Sequence, residues 1–365
     1  MGRIHAIDNI VFSDQSLLPI WEKVKNRTRL SCEDGLLLYN SSDFAGIGQM
    51  AEYAKRQVSG DSVFFVINRQ INPTNLCVNS CKFCDFSKKR GDQGTYELTL
   101  EQILESIDND IREIHIVGGH HPDWPFEHYE DMLRKIHSRF PIAHIKAFTA
   151  SEIDYFNLRW GIAPEESLAR LKEVGLRSMP GGGAEILSSR IHELLFPDKA
   201  SPDRWIEIHH LAHTMGIFTN CTMLYGHIET IEERVQHFMR LRELQDQTNG
   251  FLCFVPLKYQ IGKTKLVAKS MSPIDDLKTV SISRLMLDNI PHIKAYWVMS
   301  GEDTAAIALN FGADDIDGTI GRERVAHAAD APSPVGLALE KVLRLIGDSG
   351  KIPVERDALY NAVNR

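Results

Sequence analysis

Along the chain, short apolar runs rich in β-branched and aromatic residues alternate with longer stretches whose apolar positions recur three and four apart. The runs are "VFFVINRQI" (63–71), "EIHIVGG" (113–119), "HIKAFTA" (144–150), "LRSMPGG" (176–182), "FTNCTMLYG" (218–226), "FLCFVPLKY" (251–259), "IKAYWVMSG" (293–301) and "DDIDGT" (314–319). Each is of strand length. Between them, "TLEQILESIDNDI" (99–111), "YEDMLRKIHSRF" (129–140), "PEESLARLKEVG" (164–175), "PDRWIEIHHLAHTMG" (202–216) and "IEERVQHFMRLRELQDQT" (231–248) carry helical spacing. End signals agree: Thr99 with Gln102, and Ser201 before Pro202, suit helix starts, while Gly175 and Gly216 stand where helices should stop. Strand and helix repeated eight times predict an α/β chain folded as a (β/α)8 TIM-type barrel, with a doubly wound sheet as the competing arrangement. The expected organisation is a helical N-terminal extension over residues 1–55, the barrel over 56–321, and closing helices over 322–365.

Composition narrows the function. A chain of 365 residues, 43% hydrophobic and 25% charged, can bury a large core. The net charge of -8 argues against a nucleic-acid partner, and the short cluster Lys82, Lys88, Lys89 and Arg90 does not make a basic face. No apolar run has the length of a signal peptide or a membrane span, so a cytosolic location is expected. In that compartment six cysteines are not expected to form a disulfide framework. Cys32, Cys221 and Cys253 are scattered and read as small core residues. Cys77, Cys81 and Cys84 fall within eight positions, in "INPTNLCVNSCKFCDF", directly after the first strand. Barrel chemistry sits at such strand ends. Four thiolates would close a zinc site or an electron-transfer cluster, whereas three leave one metal corner open. A zinc site completed by a distant His or Asp is the alternative.

C-x-x-x-C-x-x-C after the first strand of a barrel, with Phe83 just before the last cysteine, resembles the signature of the radical S-adenosylmethionine (SAM) superfamily. The resemblance implies a [4Fe-4S] cluster held by Cys77, Cys81 and Cys84, whose open iron chelates SAM and, once reduced, releases a 5′-deoxyadenosyl radical. It also implies SAM contacts at later strand ends. Gly118 and Gly119 match the glycine-rich loop after the second strand. Ser151 and Glu152 after the third would meet the ribose or amino group, or cap a helix. After the fourth, Gly182 and Gly183 in "MPGGGAEI" offer backbone to the ligand, and Arg190 a partner for the carboxylate. After the fifth, Tyr225, His227 and Glu229 point toward the same place.

"MPGGGAEI", "TMLYGHIET", "LRELQDQTNGF", "RLMLDNIPHIKAYWVM" and "FGADDIDGT" together resemble the aminofutalosine (aminodeoxyfutalosine) synthase family of the futalosine route to menaquinone, over residues 60–360. Two departures stand out: His120-His121-Pro122 where the family pattern has Leu-His-Pro, and Gln260-Ile261 where it has His-Pro. The resemblance implies that SAM is consumed as a co-substrate. Its adenosyl radical adds to 3-[(1-carboxyvinyl)oxy]benzoate, and aryl migration with loss of carbon dioxide or bicarbonate gives 6-amino-6-deoxyfutalosine. Such an acceptor calls for cationic or donor groups beside apolar walls. The candidates are His121, His227, Lys258 and His292, with Glu185, Glu229, Asn289 and Asp315 as further polar groups. A flavodoxin or ferredoxin is the expected electron donor. The sister dehypoxanthinyl futalosine cyclase or another radical SAM enzyme, and a non-catalytic iron-sulfur or zinc protein, are the competing readings.

Overall fold

In the computed structural model, which describes residues 10–321 and 323–363, strands β2 (Asn68–Ile71), β3 (Glu113–Ile116), β4 (His144–Ala147), β5 (Leu176–Met179), β6 (Phe218–Tyr225), β7 (Phe251–Lys258) and β8 (His292–Ile293) pair in chain order as one parallel sheet. Strand β9 (Asp315–Gly318) joins its far edge through a Lys294–Asp315 bridge. The chain between β9 and Ile320 then meets the first edge, where the Thr319 hydroxyl donates to the Asn68 carbonyl (2.9 Å) and Gln70 N–H to the Ile320 carbonyl (2.8 Å). Eight parallel strands thus close into a barrel, as the alternation of runs predicts, and the helices between them lie outside.

The expected strand over 63–71 is two strands. β1 (Ser62–Val66) pairs with β9 and with β10 (Ile352–Glu355), while β2 opens the main sheet. The break at Ile67 has a tertiary cause. A Cβ on Gly318 would stand 1.7 Å from the Val66 carbonyl oxygen, so β9 presses on the backbone there. Beyond that point the Asn68 side chain replaces the ladder, accepting from Ile320 N–H (2.7 Å) and donating to Asp317 (3.2 Å). The run 293–301 is also corrected: only its start is strand, and Trp297–Ser300 is a short helix. The tail, expected as helices, supplies a single 3-10 turn (His327–Ala329) and an α-helix (Leu339–Asp348) among the described residues and then β10, which lies parallel beside β1.

Helix ends follow their signals. Thr99 and Gln102 form a reciprocal capping box on Leu100–Glu105, and the Ser201 side chain accepts from Arg204 N–H ahead of Pro202–Thr214. In the N-terminal extension, helix Phe44–Ser59 packs on Pro273–Met286, with Phe44 stacked on Phe311 at 4.9 Å between ring centres. The extension therefore covers the flank of the barrel. Residues 1–9 of it lie outside the described residues.

Side chains alternate across each strand, and here the alternation places apolar residues outward and polar ones inward. Ile114, Ile116, Ile145, Ala147, Cys221 and Met223 belong to the apolar core beneath the helices. Gln70, His115, Lys146, Asn220, Thr222, Lys294 and Asp317 line the interior. A barrel whose interior is ordinarily filled by Val, Ile and Leu is instead polar and partly open. Its lower end is closed by the tail: Arg356 donates to Asp315 (2.6 Å) under Tyr360, which stacks on His292 at 3.7 Å. Among the described residues no helix is long and apolar enough to cross a membrane.

Candidate active site

The cysteine loop leaves β2 and is tied down along its length. Cys77 N–H donates to the Lys88 carbonyl (3.0 Å) and Val78 N–H to the His120 carbonyl (2.9 Å), while the Lys89 ammonium gathers the carbonyls of Cys77, Val78 and Asn79 (2.9, 2.8 and 2.7 Å). Gly119, after β3, packs so closely that a Cβ there would sit 2.2 Å from the Leu76 carbonyl oxygen, and its N–H donates to the Thr74 carbonyl (2.9 Å). The second glycine of "VGG" is therefore needed for the loop to reach the strand end at all. Anchored in this way, Cys77, Cys81 and Cys84 face one cavity of about 310 Å³ at the C-terminal mouth of the barrel.

As free groups, Cys81 and Cys84 rest as thiols rather than thiolates. Burial pushes Cys81 up to about 12 and raises Cys84 as well, so only a bound cation would hold them ionised near neutrality. His120 N–H donates to Cys77 Sγ at 3.3 Å, a contact of the kind that would tune the sulfur of a bound cluster. Among the described residues no three His, Cys, Asp or Glu side chains converge on a single ion. The cavity that all three thiols line has room for a group larger than a single ion.

The same cavity receives Phe83, Gly118, Gly119, Glu152, Gly182, Gly183, Glu185 and Lys258 among the residues singled out in the sequence. Glu152 is also a helix cap: its carboxylate accepts from Thr149 N–H (2.7 Å), and burial pushes it up to about 7. Lys258 is held by Asp276 at 2.7 Å.

The other candidates are placed elsewhere, and β6 shows why. Its inward residues are Asn220, Thr222 and Leu224, so Tyr225 must face the helices, where its hydroxyl donates to Asp276 (2.9 Å). The turn that follows is sealed. Glu229 accepts from Gly226 and His227 N–H (2.6 and 2.9 Å) and from Arg234 (2.5 Å), and His227 sits between Glu229 and the Leu224 carbonyl. These two groups, expected to be catalytic, are the internal bracing of a turn. His121 likewise accepts from Asp123 and Trp124 N–H and stacks on Trp124 away from the cavity. Arg190 is half-exposed and paired with Glu233 (2.7 Å), its reach taken up on the outer face. Ser151 is buried behind Gly183 with no hydrogen-bond partner for its hydroxyl among the described residues. Asn289 binds Asp246 and the Arg242 carbonyl outside the barrel, and His292 and Asp315 belong to the base, on Asp314 (2.9 Å) and Arg356 respectively.

Lys199 is a cavity residue that the sequence reading did not single out. Lys199 lies in the loop before Pro202–Thr214, so a search of strand ends passes over it. Its ammonium is 2.8 Å from Glu185 and lies over the rings of Phe83 (5.5 Å) and Phe196 (5.8 Å). Burial works against its charge, but the Glu185 carboxylate beside it outweighs that and holds it protonated well above the usual lysine range. Glu185 itself is fixed at φ 49°, a left-handed conformation costly for a residue with a Cβ. His120, noted in the sequence as a departure from the family pattern, does line the cavity; burial pushes it down to about 3 and keeps it neutral, 3.0 Å from the Asn79 amide.

Comparison with known proteins agrees with this geometry. The description "Radical SAM superfamily" matches residues 71–241, and "CofH/MqnC C-terminal region" matches residues 248–364. The aminodeoxyfutalosine synthase of Thermus thermophilus is 42% identical over 96% of this chain and 96% of its own, and that of Streptomyces coelicolor 40% over 93% and 92%. The 5-amino-6-(D-ribitylamino)uracil--L-tyrosine 4-hydroxyphenyl transferase of Methanothermobacter thermautotrophicus is 39% identical over 86% and 88%. Among solved structures, methylornithine synthase (PylB) shares the fold with a TM-score of 0.74 at 19% identity, covering 92% of this chain and 97% of that one. The cysteine loop on a closed parallel barrel and the extent of these matches give one conclusion: the chain belongs to the radical SAM superfamily, in the branch with a CofH/MqnC C-terminal region that includes the aminodeoxyfutalosine synthases.

Proposed function

We propose that this protein is a transferase that joins SAM to 3-[(1-carboxyvinyl)oxy]benzoate, giving 6-amino-6-deoxyfutalosine, methionine and carbon dioxide or bicarbonate on the way to menaquinone. The observation that carries the reading is identity of 40–42% to aminodeoxyfutalosine synthases over nearly the whole chain. In this reading Cys77, Cys81 and Cys84 hold a [4Fe-4S] cluster. When bound and reduced, the cluster supplies the electron that cleaves SAM.

The chain's own residues bind, orient and exclude water. Glu185 and Lys199 form a fixed pair of opposite charge beside the cysteines, complementary to the ammonium and carboxylate of a methionine moiety. The backbone of Gly118, Gly119, Gly182 and Gly183 gives a surface without side chains against which the nucleoside end can lie. Leu224, Val255, Leu257 and Tyr259 form an apolar wall suited to an aromatic acceptor and to keeping water from a reactive intermediate. A flavodoxin or ferredoxin is the proposed electron donor, and the cytosol the proposed compartment.

The test is an anaerobic incubation of iron-reconstituted, reduced protein with SAM and the benzoate, with products read by mass spectrometry. Aminodeoxyfutalosine formed as SAM disappears is the expected result. Cleavage of SAM without adenosyl transfer would overturn the assignment. A parallel incubation with L-tyrosine and 5-amino-6-(D-ribitylamino)uracil, the compounds in the name of the archaeal relative, should give no adduct.

A further inference from the structure

Below the cysteine loop, the cavity continues to a floor built from the middles of the strands. Gln70, His115 and Lys146 are partners in the β2–β3 and β3–β4 ladders, so their side chains project side by side on one face. All three line the cavity, as do Lys294 and Asp317 from the opposite side. Lysines are seldom placed in the middle of a buried strand, because stripping an ammonium of water is costly unless its donors are met. Lys146 and Lys294 are both buried, at 5% and 3% exposure.

The pairing they receive is partial. Lys146 donates to Glu113 (2.5 Å), and Lys294 to Asp317 (3.1 Å) with Asp315 at 3.9 Å. Each makes one side-chain hydrogen bond among the described residues, and an ammonium has three donors to place. Glu113 and Asp315 lie one inward position deeper, outside the cavity lining, and share Arg356 between them at 3.8 and 2.6 Å. The charges are therefore layered. The deep layer holds two carboxylates and one guanidinium, and the layer facing the cavity holds two ammonium groups and the carboxylate of Asp317. Asp317 takes Lys294 and Asn68 on one oxygen, Oδ1, and its other oxygen offers fewer acceptor sites than the ammonium groups have donors left. Glu323, at the rim, is occupied by the N–H groups of Val325 and Ala326 and by His327. Donors thus exceed acceptors on the open side. His115 adds a further unmet group: burial pushes it down to about 3, so the ring is neutral with one N–H to give, and its Nε2, buried with no partner among the described residues, can carry that N–H toward an acceptor.

We propose that Lys146 and Lys294, with His115 beside Lys146, form a carboxylate-binding floor that receives the ring carboxylate of the acceptor. This rests on the function proposed above. The enol ether has to lie at the cysteine end, so the carboxylate of a meta-substituted benzoate is directed away from it, down the apolar wall of Leu224, Val255 and Leu257 and onto the two ammonium groups. A floor of this kind selects against uncharged aromatic analogues, because without the carboxylate its buried donors stay unmet.

The test separates recognition from turnover. Cluster-reconstituted protein with SAM is titrated with 3-methoxybenzoate and with its neutral counterpart 3-methoxybenzamide, and binding is read calorimetrically. The acid should bind more tightly by at least about 30-fold. The paired substitution Lys294→Met with Asp317→Asn removes both charges and leaves no orphaned ion; it should bring the two affinities within about threefold of each other with the amide unchanged. His115→Phe keeps every ion pair and should lose about fivefold for the acid alone, so the idea does not depend on the double variant folding. Equal affinities in the unsubstituted protein, or a preference that survives in both variants, would overturn the floor. Turnover is followed on the full acceptor and on 2-phenoxyacrylate, which lacks the ring carboxylate. A binding preference without turnover of either would fail the proposed reaction and keep the floor; turnover of both alike would do the reverse.

Discussion

Glu185 and Glu229 follow neighbouring strands, both are buried, and both face a cation, yet only one lies in the cavity. Glu229 has spent its acceptors: two backbone N–H groups of its own turn and Arg234 occupy its oxygens, and its side chain is 0% exposed. Glu185 is held at a left-handed φ, with Lys199 as its side-chain partner and open volume on its other side. Position at a strand end and burial therefore do not tell the two carboxylates apart. Unspent hydrogen-bonding capacity facing a void does. The same distinction separates His227, whose two ring nitrogens are taken up by the Ile228 N–H and the Leu224 carbonyl of its own turn, from His115, whose Nε2 is buried with no partner among the described residues and whose ring lines the cavity.

The sharpest way to test the cavity side of this comparison is to remove a cluster ligand. Cys81→Ala should reduce SAM cleavage by more than about a thousandfold, because the cofactor carries the hard chemistry and two thiolates do not hold it in place. Far-ultraviolet circular dichroism and melting temperature should barely change, since Cys81 lies against the cavity rather than within the core. Cleavage at the unsubstituted rate, measured by the methionine released, would remove the cysteines from the proposed role.

Isosteric neutralisation of the two glutamates should give opposite signatures. Glu229→Gln leaves Arg234 buried without its counter-charge, and a loss on the order of 3 kcal/mol in unfolding free energy is expected, with KM for SAM unchanged. Glu185→Gln should raise KM for SAM by roughly tenfold or more and cost less stability, since what it removes is a contact to ligand. Urea melts and initial-rate kinetics on the two variants decide the matter. If Glu229→Gln raises KM while Glu185→Gln only destabilises, the roles assigned by unspent capacity are reversed.

How much of this was legible in the sequence follows from the range over which each feature is set. Strand and helix periodicity and the spacing of Cys77, Cys81 and Cys84 are local, and they led to the barrel and the loop at its mouth. The split at Ile67 was not legible, because it depends on Gly318 pressing on Val66 from the far end of the barrel. The strand Ile352–Glu355 was masked by its Pro353 and by a half-exposed face that offers no clean alternation. Which strand-end residues turn inward depends on a register that shifts with one residue, and so Tyr225 was placed in the site while Leu224 occupies it. Lys146 did leave a trace: a lysine between Ile145 and Ala147 in an otherwise apolar run breaks the pattern of a filled barrel. Lys199 left none, since only the fold brings its loop beside the cysteines.

The smallest effect concerns a histidine on the spent side. His237 joins two elements through both ring nitrogens, accepting from Leu187 N–H (3.0 Å) and facing the Thr222 carbonyl (3.0 Å). Burial pushes it down to about 3, with Arg240 adding to the shift against the pull of the Thr222 carbonyl. A group whose pKa is lower folded than unfolded contributes stability that is complete above its unfolded value, near 6.5, and is lost as pH falls toward the folded one. Between pH 7 and pH 5 the protein should therefore lose on the order of 2 kcal/mol through this residue. His120 and His144 act in the same direction, since burial pushes them down to about 3 and about 4. Glutamine can reach both partners without a titratable ring, so His237→Gln should keep most of the stability at pH 7 and show a shallower decline in urea melts at pH 5. An unchanged decline would mean that His237 takes up its proton without breaking the bridge, and that a ring with both nitrogens engaged can still respond to pH as an unengaged one would.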